Sequence, residues 1–176
     1  YGISAHEFWS TNVASALLME AFTKKIGGNA NDAYSIGTLH AIGKVVINTL
    51  LDSDPPSAPW DKKQPISEWE ESLVGINHAF AGADMLKNWD FPERIYNPIN
   101  DYINPPNKGL FMIHALNFSH LILERTHYDF SNEKWETPER HKFMEDYGFG
   151  DEEVHEIVSE VKESFSQTRK AMGILD

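Results

Sequence analysis

The stretch from Gly109 to Glu124 constrains this chain more than any other. Leu110, Phe111, Met112, Ile113, Ala115, Leu116, Phe118, Leu121, Ile122 and Leu123 make it apolar almost all round. A helix of that kind is central, because only neighbouring helices can cover every side of it. Its polar members are His114, Asn117, Ser119 and His120. On a wheel of 3.6 residues per turn, His114, Asn117 and His120 fall within about a third of the circumference. The buried helix therefore carries a polar stripe.

The remaining segments supply the covering helices. Ser4-Ala5-His6-Glu7 has the form of a capping box, in which Ser and Glu satisfy the first amides reciprocally. The helix it starts spaces Trp9, Val13, Ala16, Leu17 and Phe22 by threes and fours until Gly27-Gly28 ends it. A second helix is predicted from near Asn31, with Asp32 at its positive end and Ala33, Ile36, Gly37 and His40 along one side. A small-residue step at Gly43 leads into the apolar run Val45 to Leu51. An imidazole on so apolar a surface needs a partner, since leaving it bare costs about 1–3 kcal/mol.

Asp52 to Pro65 contains four prolines and reads as a surface loop, its Pro56–Pro59 spacing part of an irregular connection rather than an interaction peptide. Ser67-Glu68-Trp69-Glu70 repeats the capping-box pattern and predicts one helix through Leu73, Ile76, His78, Phe80, Met85, Leu86 and Trp89. Pro92 opens a helix through Ile95, Ile99 and Tyr102, with Pro98 inside it and Pro105-Pro106 as a break. Thr137-Pro138 begins a short helix, and a last one runs from about Asp151 through Val154, Ile157, Val158, Val161, Phe165 and Met172. No strand-like alternation occurs. The expected fold is all-α, with residues 1–125 as a helical core and residues 126–176 as a C-terminal helical appendage packed on it.

Composition narrows the functions. The absence of cysteine excludes disulfides, thiolate metal sites and cysteine nucleophiles. Fifteen basic against 27 acidic residues give a net charge of -12, which repels phosphate backbones. The pairs Lys24-Lys25 and Lys62-Lys63 are too short to form a groove-tracking patch. No apolar run approaches the ~20 residues of a membrane span. A soluble, cytoplasmic protein without nucleic-acid or membrane partners is expected.

Three chemistries were open to these residues. His40, His78, His114 and His120 lie on helices expected to be buried, and imidazoles from facing helices can hold a metal. A hydrolytic centre also needs carboxylates, yet Ala41 follows His40 and position 117 is an amide. The alternative is that these histidines are core residues hydrogen-bonded to backbone or to each other. For nucleophilic catalysis there is no glycine-flanked serine on a sharp turn. Gly27-Gly28 lacks the rest of a phosphate-binding loop.

Phe8-Trp9, Val13-Ala14 and the run Ala33 to Lys44 resemble the core of the HD superfamily. Gly75-Ile76-Asn77-His78-Ala79-Phe80-Ala81-Gly82-Ala83, Met85-Leu86 and Trp89-Asp90-Phe91-Pro92 are similar, more narrowly, to HDOD, the HD-related output domain of bacterial signalling proteins. Tyr1-Gly2-Ile3-Ser4 and Tyr147 to Glu153 also fit. The resemblance implies an HD-domain-like helical bundle. It places the ligand positions of HD phosphohydrolases at Thr11, at His40-Ala41 and near Asn117, so only His40 keeps a ligand type. The adjacent histidine pair of some HD enzymes would fall near Tyr102-Ile103.

The resemblance therefore implies a non-catalytic signal-transduction module acting on other signalling proteins or domains, or on a small ligand, with no catalytic residues and no cofactor. Its altered cavity is expected to gather Thr11, His40, Ala41, His78, His114 and Asn117, with His40, His78, His114 and Asn117 in mutual hydrogen bonds. The competing expectation is a divergent divalent-metal phosphohydrolase using His40, His78 and His114 with Asp101 or Asp84. HDOD proteins usually carry a further helical segment before the point where this chain starts, and its absence would expose an apolar face for a homodimer.

Overall fold

The structure, a computed structural model, describes residues 4–53, 55–56, 60, 63–131 and 136–173. Among them are nine helices and no strand: α1 (Ala5–Lys25), α2 (Ala30–Leu39), α3 (Gly43–Ser53), α4 (Ile66–Val74), α5 (His78–Asn88), α6 (Glu93–Asp101), α7 (Phe111–Thr126), α8 (Pro138–Tyr147) and α9 (Asp151–Ala171). No described helix is long and apolar enough to cross a membrane.

Local chemistry sets the helix starts. Ser4 accepts from the Glu7 amide while the Glu7 carboxylate accepts from the Ser4 amide, each at 3.1 Å. Asn29 accepts the amides of Asn31 and Asp32, so α2 begins one step earlier than its Asp32 signal predicts. Thr137 caps α8 by accepting from the Arg140 amide, with Pro138 in the first turn.

The single helix predicted from Ser67 to Trp89 is instead two. Gly75 adopts φ +78°, a left-handed geometry that glycine takes without strain, and it ends α4. Asn77 then accepts the Phe80 amide and starts α5. Ser67 does not cap α4; Pro65 occupies that position with no side-chain bond. The expected loop from Asp52 is also shorter, because α3 continues to Ser53. Of the sequence features noted above, Tyr1-Gly2-Ile3, Pro59 and Lys62 lie outside the described residues.

The main core joins α1, α2, α5, α6, α7, α8 and α9 through buried side chains including Leu18, Phe22, Ile36, Leu86, Ile99, Leu116, Phe118 and Val158. Phe22 lies 5.5 Å from Phe118 and 5.6 Å from both Phe143 and Phe149. Phe143 stacks on Phe118 at 4.6 Å. Such aromatic pairs add about 0.5–1.5 kcal/mol each beyond their buried area. A second cluster of Ile47, Leu51, Trp69 and Ala81 binds α3, α4 and α5. At the far end, Arg140 is 1% exposed and donates to Glu136 at 2.8 Å and Asp151 at 2.7 Å, tying α8 to α9.

After α7 the chain passes through an unusual segment. His127, Tyr128 and Phe130 have φ of 47°, 70° and 55°. Each costs an L residue about 1–2 kcal/mol, so packing must hold them.

Gly43 sets the approach of α3 to α5. A Cβ there would collide with the carbonyl of His78 and stand 2.5 Å from the Gly82 nitrogen. Both obstacles are backbone and cannot swing aside. Gly43→Ala is expected to lower stability by about 3 kcal/mol, the upper range for overpacking, read as a reduced urea midpoint at unchanged slope.

Candidate functional site

Four helix ends and the middle of α7 meet around one phenol. His40 caps the C-terminus of α2, Lys44 lies in the first turn of α3, His78 opens α5, Tyr102 follows α6, and α7 brings Asn117 and His120. Tyr102 is fully buried. Its ring centre lies 5.8 Å from that of His40, 6.2 Å from His78 and 5.5 Å from His120. His40 and His120 are 6.3 Å apart. The phenol thus stands among three imidazoles.

A buried chain of hydrogen bonds runs from α4 to that phenol. As the first residue of α5, His78 has a backbone N–H without a helical acceptor. It donates to Glu70 Oε2 at 2.7 Å. His78 Nδ1 and Glu70 Oε2 are hydrogen-bonded at 2.7 Å, and His78 Nε2 lies 2.7 Å from the Tyr102 hydroxyl. Glu70 is 0% and His78 1% exposed, so both are removed from bulk solvent. Burial pushes the Glu70 carboxyl up to about 8 and the His78 imidazole well below its usual value. Burial also holds the phenol protonated far above its ordinary range. The turn at Gly75 lets α5 fold back so that its first residue meets Glu70.

His40 is bound differently. Its Nδ1–H donates to the Gly37 carbonyl at 2.7 Å, leaving Nε2 as a buried acceptor with no partner. His120 Nδ1 is likewise buried and unpartnered. Burial depresses His40 to about 4 and His120 to about 3, with the Lys44 cation adding to both. Lys44 is itself lowered by burial to about 8, against the opposing pull of Glu124. The interior is therefore a set of neutral rings beside one half-buried amine. A cleft of about 300 Å³ opens next to it between α4 and α7, with His78, Asn117, His120 and Glu124 among its walls.

The six residues expected in the cavity are only partly gathered. His40 and His78 flank Tyr102, and Asn117 donates to the Tyr102 carbonyl at 2.9 Å. Ala41 is buried beside His40. Thr11 instead donates to the Glu7 carbonyl and bonds the Tyr128 hydroxyl at 2.6 Å. His114 lies apart, its ring 5.7 Å from Tyr147 and its Nε2 beside Gly109. The expected mutual hydrogen bonds among His40, His78, His114 and Asn117 are not formed; each bonds or faces something else, for the reasons just given. Asp84 pairs with Asn88 and Asp101 with Asn100, away from the imidazoles. Among the described residues no group of three or more His, Asp or Glu could hold a metal ion.

Glu70, Tyr102 and Lys44 were not singled out from the sequence as site residues. In the sequence Glu70 reads as the acid of a capping-box pattern, although its neighbour Trp69 already implies a buried face there; it accepts from the His78 amide instead.

Comparison with known proteins follows this geometry. The HDOD domain profile matches residues 1–105. No curated protein matches the chain. A solved structure, "Putative phosphohydrolase from Shewanella amazonensis SB2B", is similar with a TM-score of 0.61 at 18% identity, over 94% of this chain and 61% of that one. At that identity the likeness is one of fold, and the present chain spans about 61% of the other's length.

The depressed imidazoles make stability depend on pH. His40 and His120 titrate near 6.5 when unfolded and near 4 and 3 when folded, so their contribution is whole above 6.5 and lost as the pH falls. Between 4.5 and 6.5 the Glu70–His78 pair binds one proton in both states and cancels. Lowering the pH from 6.5 to 5 is expected to cost roughly 3 kcal/mol, measured by urea unfolding. The double variant His40→Asn, His120→Asn should flatten that slope.

Proposed function

The chain belongs to the HDOD domain family, and on that premise we propose that it is a non-catalytic regulatory module of signal transduction, working in the cytoplasm by contact with another protein or a small ligand. The observation that carries this reading is the Tyr102 phenol standing among His40, His78 and His120. It fills the space between the three imidazoles and ties one of them into a hydrogen bond at 2.7 Å.

The donor set points the same way. A dinuclear hydrolytic centre needs hard carboxylate ligands that neutralise two cations and hold a bridging water. Following His40 there is the methyl group of Ala41, and on α7 the Asn117 amide is used to donate to a backbone carbonyl. Thr11 is engaged at the other end of α1's first turns. Of the nearby carboxyls, Glu70 is bound by His78 through both its backbone and its ring, and Glu124 stands on the cleft wall. These residues do not fit such a centre, and no hydrolytic step is derived from them.

The second reading, a divergent metal-dependent phosphohydrolase, draws on one feature. His40 Nε2 and His120 Nδ1 are neutral, unpartnered nitrogens, and metals bind neutral imidazole. What it lacks is a third ligand within reach.

Metal analysis separates the two. The protein, purified after expression in medium supplemented with manganese, iron, nickel and zinc, should carry only substoichiometric metal. It should show no hydrolysis of bis(p-nitrophenyl) phosphate above background, and His40→Ala should leave that background unchanged. Stoichiometric metal together with an activity abolished by His40→Ala would overturn the proposal.

A further inference from the structure

A signalling module needs an element with two arrangements, and the segment after α7 has the properties of one. His127, Tyr128 and Phe130 are held in left-handed backbone conformations, and none of the three is glycine. Such a segment stays in place only while its side chains are anchored. Two sets of side-chain anchors reach distant helices. The Tyr128 hydroxyl bonds Thr11 Oγ1 at 2.6 Å and lies 3.4 Å from the Glu7 carbonyl, both in the first turns of α1. The Tyr128 and Phe130 rings each lie 5.9 Å from the ring of Phe165 on α9. Phe130 is buried; the His127 side chain is exposed, while its backbone N–H closes α7 by donating to the Leu123 carbonyl at 3.0 Å.

Those anchors connect the beginning of α1 to the second half of α9. Before Phe165, α9 buries Val154, Ile157, Val158 and Val161 in the main core. Beyond Val161, Phe165 is the one residue of α9 buried among the described residues. The buried ring that seats the second half of α9 is therefore the one that the strained segment packs on, with Arg169 lying over it at 5.9 Å.

We propose that residues 127–130 form a strained latch that fastens the start of α1 to the C-terminal half of α9 and can release both together. Opening relieves three left-handed residues and frees Phe165, so the loss of contacts is partly offset and the open form is populated well below the cost of global unfolding. A partner that takes the Phe165 ring, or displaces the first turn of α1, selects the open form. α7 carries Asn117 and His120 directly into the latch at its C-terminus, which links the device to the polar core. This inference rests on the regulatory reading above only for its purpose; the latch itself stands or falls separately.

Hydrogen exchange on the full chain, read by mass spectrometry, tests it. Amides of residues 127–131 and 162–171 should exchange as one unit, faster than the middle of α1 and α7. Tyr128→Phe and Thr11→Val, which remove opposite sides of one hydrogen bond, should each speed that unit about tenfold. Their double variant should match either single one. His127→Gly, which removes strain without removing a contact, should slow it. If the two regions exchange independently, or only together with the main core, or if His127→Gly speeds exchange as Tyr128→Phe does, there is no latch.

Discussion

The buried hydrogen-bond chain from Glu70 through His78 to Tyr102 is the constraint on which the rest of this structure turns. It joins α4, α5 and the residue following α6, and every link is closed to water. Such a chain tolerates no slack. A buried carboxyl without its imidazole, or an imidazole without its phenol, would leave a polar group bare at a cost of about 1–3 kcal/mol. The Gly75 turn and the Gly43 approach are the backbone conditions that let the chain close. Packing and polarity thus specify the same arrangement: the tight crossing of α3 on α5 delivers His40 and Lys44 to the place where His78 and Tyr102 already meet.

That arrangement explains why the site favours neutrality. Burial raises the carboxyl and lowers the imidazoles, so each group moves towards the form that carries no charge. Lys44 moves the same way, lowered to about 8 by burial against the pull of Glu124, and so stays mainly cationic at neutral pH. An interior of this kind is poorly suited to gathering the charge that phosphoryl chemistry develops, and well suited to holding one conformation until something outside shifts it. The HDOD family assignment is consistent with such a role, and the likeness to a longer solved chain is one of fold.

Much of the fold was legible because periodicity reports burial directly. The all-round apolar run of α7 implied a central helix, and the capping box at Ser4 and the caps at Thr137 marked real starts. The resemblance also located His40 and His78. What the one-dimensional pattern could not carry was direction. Nothing in Ser67 to Trp89 said that Gly75 would turn the chain back, because an isolated glycine in a helical pattern can equally be tolerated. Without that turn, Glu70 stays on a solvent face and Tyr102 is another core aromatic. His114 shows the converse error: it shares a stripe with Asn117 and His120, yet one turn along α7 is enough to carry it to Tyr147. Thr11 likewise aligned with a ligand position but belongs to the contact with Tyr128.

The Asn117 amide has a historical implication. It donates to the main-chain oxygen of the very residue whose side chain plugs the cavity. An aspartate there would set one oxygen against another, and an aspartate at 41 would enter a dry interior beside an imidazole that is already neutral. Neither step is favourable while the aromatic plug remains, and removing the plug first strips His78 of its partner. The arrangement therefore behaves as a ratchet: carboxylates at 41 and 117 could enter only through several changes made at once.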